Sequence, residues 1–328
     1  MYEEVLPNLF RLEAPLPGNP LKSVNAWLIC GHSRHLLVDN GFRMPECAET
    51  HMQAFNELGI DRKRLDFFLT HLHSDHNGLT NTLKSAESHV FCSATDGMIA
   101  NSIIGNETHW HKGIFAMRRH GFPEDMLEIV ANSHPGKLYA NAEPFAYKGV
   151  GEGDILEYGP YKLEVLETPG HTPGHLILYE RSSAFVIGGD HILGDITPNI
   201  TCWPEMTDAL GCYLQSLDKV SRLKITTVLP GHRHLVTDAT KRISEIKAHH
   251  AERLAEIFTL VGDTAASAWN IAGLMKWNLR GEWENFPANQ KYFAVGETIA
   301  HLDHLASMGK LYRHPENGKI FYAIPHNV

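Results

Sequence analysis

An apolar run, Asp66-Phe67-Phe68-Leu69-Thr70, leads directly into His71-Leu72-His73-Ser74-Asp75-His76-Asn77-Gly78, so four metal-binding side chains fall within six residues. The run reads as a buried strand and the segment after it as the start of a helix. Alternation at the mouth of a strand aims His71 and His73 the same way, and the turn into the helix brings Asp75 and His76 back toward a neighbouring point. Two nitrogen pairs beside a carboxylate suit two divalent metals a short distance apart. A polar turn with Asp75 as a helix cap would account for any one of these residues, but poorly for all four.

Three later segments set further donors at the ends of expected strands: Gly170-His171-Thr172-Pro173-Gly174-His175, Gly188-Gly189-Asp190-His191 and Leu229-Pro230-Gly231-His232. Taken singly, His171, Asp190 and His232 read as turn or cap residues. In this order, and after H-x-H-x-D-H, they resemble the motifs of the metallo-β-lactamase superfamily over about residues 5–235. The resemblance implies an α/β fold, a four-layer αββα sandwich. It implies one metal bound by His71, His73 and His171, another by Asp75, His76 and His232, and Asp190 bridging them. His175 is expected to serve the fold or to support the ligands rather than bind metal, His191 to face substrate or support Asp190, and His234 to be solvent-exposed as readily as functional.

The chemistry expected of such a site follows from charge. Two metals roughly 3.5–4 Å apart share a hydroxide whose pKa falls to about 7 and polarise a carbonyl or phosphoryl oxygen. Asp75 is the candidate catalytic proton acceptor. Zinc is the favoured metal; iron and manganese suit the same ligands.

A chain of 328 residues has room for more than one domain. The pattern divides it into a catalytic domain over 1–238 and a linker helix with a winged-helix-like domain over 239–328. Within the first, residues 94–150 read as a helical insert broken by Gly105, Gly113, Gly121, Pro123, Pro135, Gly136 and Pro144, too long for a plain connection. Trp110, Phe115 and Phe122 make it a candidate roof over the site, or an ordinary helical core. The winged-helix resemblance rests on Thr264 to Trp277, on Thr298 to Leu305 and on a closing hairpin.

Charge argues against nucleic acid as a partner. The chain carries a net −9, and residues 241–328 hold ten Lys and Arg against nine Asp and Glu, which leaves no basic stripe for phosphates. His301, Asp303 and His304 make a poor phosphate-binding face. Packing, homodimerisation or completion of the pocket is the favoured role for this domain. The five cysteines are scattered without a C-x-x-C pair, no apolar run approaches the ~20 residues of a membrane span, and the start of the chain is acidic, so a cytoplasmic location is expected.

These readings favour a hydrolase of a small thioester, ester or lactone, similar to hydroxyacylglutathione hydrolases. A metal-dependent endoribonuclease or phosphodiesterase is the first alternative, and a non-hydrolytic metal-binding or oxidoreductase relative the second.

Overall fold

The computed structural model describes residues 2–262, 264–278 and 281–325. Residues 1, 263, 279, 280 and 326–328, which the expected domains include, lie outside the described residues. Seven strands form the first sheet: β1 (Tyr2–Leu6), β2 (Leu9–Pro15), β3 (Ser23–Ile29), β4 (His35–Val38), β5 (Leu65–Phe68), β6 (Val90–Cys92) and β7 (Lys148–Gly149), paired in that order. The meander β1–β4 is antiparallel, whereas β4 to β7 run parallel, connected by helices or by the insert. The second sheet has β8 (Ile155–Tyr158), β9 (Tyr161–Glu167), β10 (Leu176–Glu180), β11 (Phe185–Gly189) and β12 (Thr227–Pro230), ordered 12-11-10-9-8.

Side-chain alternation assigns each face its layer. Trp27, Ile29, Val38 and Phe68 of the first sheet meet Leu163, Val165, Leu176, Leu178 and Ile187 of the second in a core between the sheets. The opposite face of the first sheet, with Ala26, Leu28, Leu37 and Phe67, is covered by helix α1 (Pro45–Leu58) through Cys47, Ala54 and Phe55. Ile177, Tyr179, Val186 and Val228 on the far face of the second sheet are covered by Leu210, Tyr213 and Leu217 of one helix and by Ile243 and Ile246 of another. The result is the four-layer αββα order expected from the sequence.

After β5 come two short helices, α2 (Ser74–Asn77) and α3 (Thr80–Leu83). The insert holds α4 (Ala94–Ile103), α5 (Glu107–Phe115), α6 (Glu124–Ser133) and α7 (Pro135–Leu138). The two covering helices are α8 (Ala209–Val220) and α9 (Ala239–Val261), and the chain continues through α10 (Ala268–Leu274), α11 (Ala288–Ser307) and the hairpin β13 (Tyr312–Glu316) and β14 (Lys319–Ala323). Insert and C-terminal region share a single core: Ile114, Phe122, Leu127 and Val130 pack with Ile257, Ile271, Val295, Leu302 and Tyr322. Among the described residues no helix is long and apolar enough to cross a membrane.

Candidate metal centre

All seven expected donors converge at one rim of the sandwich, on the segments after β5, before β10, after β11 and after β12. His71 Nε2 lies 3.1 Å and His171 Nε2 3.0 Å from His73 Nδ1. Asp75 Oδ2 lies 3.4 Å from His232 Nε2 and 3.9 Å from His76 Nε2. Asp190 stands between these groups: Oδ1 is 3.5 Å from His76 Nε2, while Oδ2 is 3.7 Å from His171 Nε2 and 3.6 Å from His232 Nε2. His71, His73 and His171 form one three-donor cluster, and Asp75, His76 and His232 a second; His71, His76 and Asp190 connect them. A Cβ on Gly231 would approach Asp190 Oδ1 to 2.5 Å and the His76 ring to 2.7 Å, so only glycine lets His232 enter beside them.

The outward hydrogen bonds fix which ring nitrogens face inward. Asp39, just after β4, accepts the Thr70 amide N–H at 2.9 Å and the Thr70 hydroxyl at 2.8 Å. That hydroxyl, having given its proton to Asp39, accepts from His71 Nδ1 at 2.9 Å. Asp39 Oδ2 also accepts from His76 Nδ1 at 2.7 Å, the Ser23 carbonyl from His232 Nδ1 at 2.7 Å, and the Asn199 carbonyl from His171 Nδ1 at 2.8 Å. Four imidazoles therefore spend their protons outward and turn the Nε2 lone pairs toward one another. His76 Nε2, His232 Nε2 and Asp190 Oδ1 are buried with no hydrogen-bond partner among the described residues. Buried lone pairs and carboxylates facing each other are costly without a cation between them, and the donor set suits zinc-like metals.

Charge tells the same story. Burial pushes the His76 ring toward neutrality, but Asp190, Asp39 and Asp75 outweigh it and raise its pKa to about 10, so a proton takes the place on Nε2 that a bound cation would claim. Burial likewise favours the neutral Asp75 carboxyl, yet the His76, His232 and His73 imidazoles hold it well below the ordinary carboxylate range. The pocket thus carries three carboxylates that call for compensating positive charge. His73 behaves differently: burial and the neighbouring His171 ring lower it to about 3 and keep it an uncharged donor.

One supporting residue, Asp96, carries no signal in the sequence. Asp96, on α4, accepts the Leu72 N–H at 3.0 Å, the Thr172 hydroxyl at 2.6 Å and the Gly174 N–H at 2.6 Å, tying the two histidine loops together. Burial raises its carboxyl to about 6 against those three bonds. His175 binds the Thr168 hydroxyl at 2.8 Å and accepts the Asp190 N–H at 3.3 Å, so it supports the centre from behind. His191 is buried and His234 exposed. Trp110, Phe115 and Phe122 pack into the core shared with the C-terminal helices. The insert reaches the centre through α7, where the Pro135 carbonyl accepts the Ser74 hydroxyl at 3.3 Å.

The family model "Metallo-beta-lactamase superfamily" matches residues 105–232, and "Metallo-beta-lactamase-like, C-terminal domain" matches residues 254–323. A β-lactamase domain protein from Burkholderia ambifaria is 28% identical with a TM-score of 0.85, over 99% of this chain and 94% of that one. The chain belongs to the metallo-β-lactamase superfamily. It is a metal-dependent hydrolase of that superfamily, and a metallo-β-lactamase family protein from Thermus thermophilus shares its architecture at 26% identity and a TM-score of 0.80, over 98% and 100% of the two chains. Among curated relatives, the probable metallo-hydrolase YqjP of Bacillus subtilis (strain 168) is 23% identical over 87% of this chain and 89% of its own. The acyl-coenzyme A thioesterase MBLAC2 of Gallus gallus is 23% identical, over 63% and 72% of the two chains. The atrochrysone carboxyl ACP thioesterase of Emericella nidulans is 21% identical, over 78% and 65%.

Proposed function

We propose that this superfamily member hydrolyses thioesters at a dinuclear metal site, with His71, His73 and His171 holding one ion, Asp75, His76 and His232 the other, and Asp190 between them. The observation that carries the reading is the inward convergence of Nε2 lone pairs whose tautomers are fixed from outside. Two zinc ions bound there would supply an activated water and polarise the substrate carbonyl. The chain's own residues do the rest. Asp75, held ionised by the His76, His232 and His73 rings and 3.4 Å from His232 Nε2, would accept the proton of the water that adds to the carbonyl and return it to the departing thiolate. The Trp203 ring, 6.1 Å from the His73 ring, gives the rim an apolar side on which an acyl group can lie.

Thioesters are favoured over other carbonyl substrates because two of the similar proteins are thioesterases acting on acyl-coenzyme A and on carrier-bound acyl groups. Phosphodiesters are disfavoured by the way the winged-helix-like region is used. His301 is fully buried, Asp303 accepts the Tyr322 hydroxyl at 2.7 Å, and His304 meets Asp208 at 3.0 Å. The helix that would enter a nucleic-acid groove is thus occupied within the molecule. The test is turnover by protein of measured metal content across acyl-coenzyme A thioesters, lactones, a phosphodiester and short RNAs. Release of free thiol from the thioesters at rates well above the other classes is expected; cleavage of RNA or phosphodiester with inert thioesters would overturn the reading.

A further inference from the structure

His76 is held by Asp39 directly after β4 and His232 by Ser23 of β3, whereas His171 leans on a segment with no secondary structure of its own. Its Nδ1 donates to the Asn199 carbonyl at 2.8 Å, and its own carbonyl accepts the Trp203 indole N–H at 3.0 Å. Residues 199–203 therefore grip His171 at both its ring and its backbone, yet residues 191–208 contain neither helix nor strand. Such a segment holds a ring steady only if something rigid holds the segment.

That support is α11. The Asn199 side-chain amide donates to Glu297 Oε2 at 3.0 Å and to the Phe293 carbonyl at 3.4 Å, two positions one helical turn apart. Between them lies Gly296, where an added Cβ would collide with Thr201 Oγ1. A glycine inside a helix weakens it relative to alanine. At this position its absence of a side chain is what lets the loop seat directly on the helix. Glu297 is itself held from behind, with Arg253 Nε 3.9 Å from Oε1 and its guanidinium stacked 4.6 Å over the Trp277 ring.

We propose that α11 is a positioning element of the metal centre, acting through Glu297, Asn199 and the seat at Gly296 to fix the carbonyl that orients His171. The C-terminal region thereby strengthens binding of one metal ion without touching it. The proposal rests on the reading of His71, His73 and His171 as one metal-binding group. It also gives the C-terminal region a task that neither charge nor groove geometry supplies.

Because Asn199 acts on His171 through its main chain, its side chain can be altered without removing the acceptor. N199D removes both amide donors and, above the value of about 7 to which burial raises the Glu297 carboxyl, sets two carboxylates against each other, so the series is run at pH 8.5; E297Q keeps an acceptor for Asn199; in the double variant N199D/E297Q the Gln amide donates to the Asp carboxylate. Zinc would be withdrawn from the full-length, zinc-loaded proteins by graded chelator, with ions released per chain as the readout and folding of the apoproteins followed by circular dichroism. Outer hydrogen bonds to metal-binding imidazoles are worth ~10–100-fold in affinity. N199D should weaken one of two ions by roughly that factor, E297Q should stay near wild type, and the double variant should recover most of the loss. G296A should reproduce the weakening with the polar pair intact. H171A is the control for the underlying reading, which fails if this variant still holds two ions as tightly as wild type. If H171A loses one ion while N199D and G296A keep wild-type affinity, the positioning role is overturned. A loss in N199D that the double variant does not recover would overturn it as well.

Discussion

Asp39 adopts φ 60°, a left-handed conformation that L-residues other than Asn and Asp seldom take, and spends it on aiming one carboxylate at Thr70 and His76. Replacing it by Asn would oppose an N–H to either Thr70 or His76, so D39N should lower zinc affinity by about 10–100-fold with little change in fold, as read by competition with a chelating dye. D75A should cut turnover by ~10²-fold or more while circular dichroism stays unchanged, because a proton acceptor and a metal-facing oxygen leave together. Unchanged activity in D75A would remove its proposed role. The sequence exposed the seven inward donors because four short motifs concentrate them, and no single residue would have sufficed. It did not expose Asp39, a lone carboxylate at the end of the apolar run His35-Leu36-Leu37-Val38-Asp39, nor Asn199, whose contribution to the ring is a backbone carbonyl that any residue possesses.

At the level of elements, the first sheet is locked at one end by a buried carboxylate. Asp66, at β5, accepts from Arg34 Nε at 2.6 Å and Nη2 at 2.5 Å, from the Tyr158 hydroxyl at 2.7 Å and from the His89 N–H at 2.7 Å. Burial alone would raise its carboxyl, but the Arg34, His89 and Tyr158 bonds win and hold it below the ordinary value. A group depressed on folding stabilises the native state above its unfolded value of about 3.9, and that stabilisation is lost as pH falls through the lower folded value. R34A should therefore lower the thermal midpoint at pH 7, and the gap from wild type should narrow toward pH 2–3. A gap that stayed constant across that range would contradict this account. Strands β3, β10 and β11 are buried along their whole length and stand out in the sequence as continuous apolar runs, whereas helices α1 and α9 stand out as amphipathic segments with one apolar face. β1, β2, β7 and β8 carry no such signal, and α11 begins at Ala288, well before the Thr298 to Leu305 stretch that marks it in the sequence. In β1 and β2 the punctuation by Pro7 and Asn8, which makes their hairpin turn, hid the strands on either side.

Across the whole molecule, periodicity showed which faces are apolar but not what covers them. The sequence suggested a helical insert and a separate appendage, and the structure joins them in one core. Phe122 is buried against the Trp269 ring at 4.9 Å and the Tyr292 ring at 6.1 Å, so it links α10 and α11 to the insert. F122A should cost ~3–5 kcal/mol, the range for a buried Phe reduced to Ala, and shift the unfolding of insert and C-terminal helices together in a hydrogen-exchange measurement. Loosening confined to the insert would show that the two regions are not coupled. Coupling also explains how residues far along the chain can bear on a centre built by the sandwich, since α11 packs in that core on one side and meets Asn199 on the other. The central claim, a thioester hydrolase needing both donor clusters filled, is tested most directly by measuring acyl-coenzyme A thioester turnover as zinc is added back to the apoprotein. Turnover should climb until two zinc ions are bound per chain and then level off; full activity at one ion, or none at two, would contradict it.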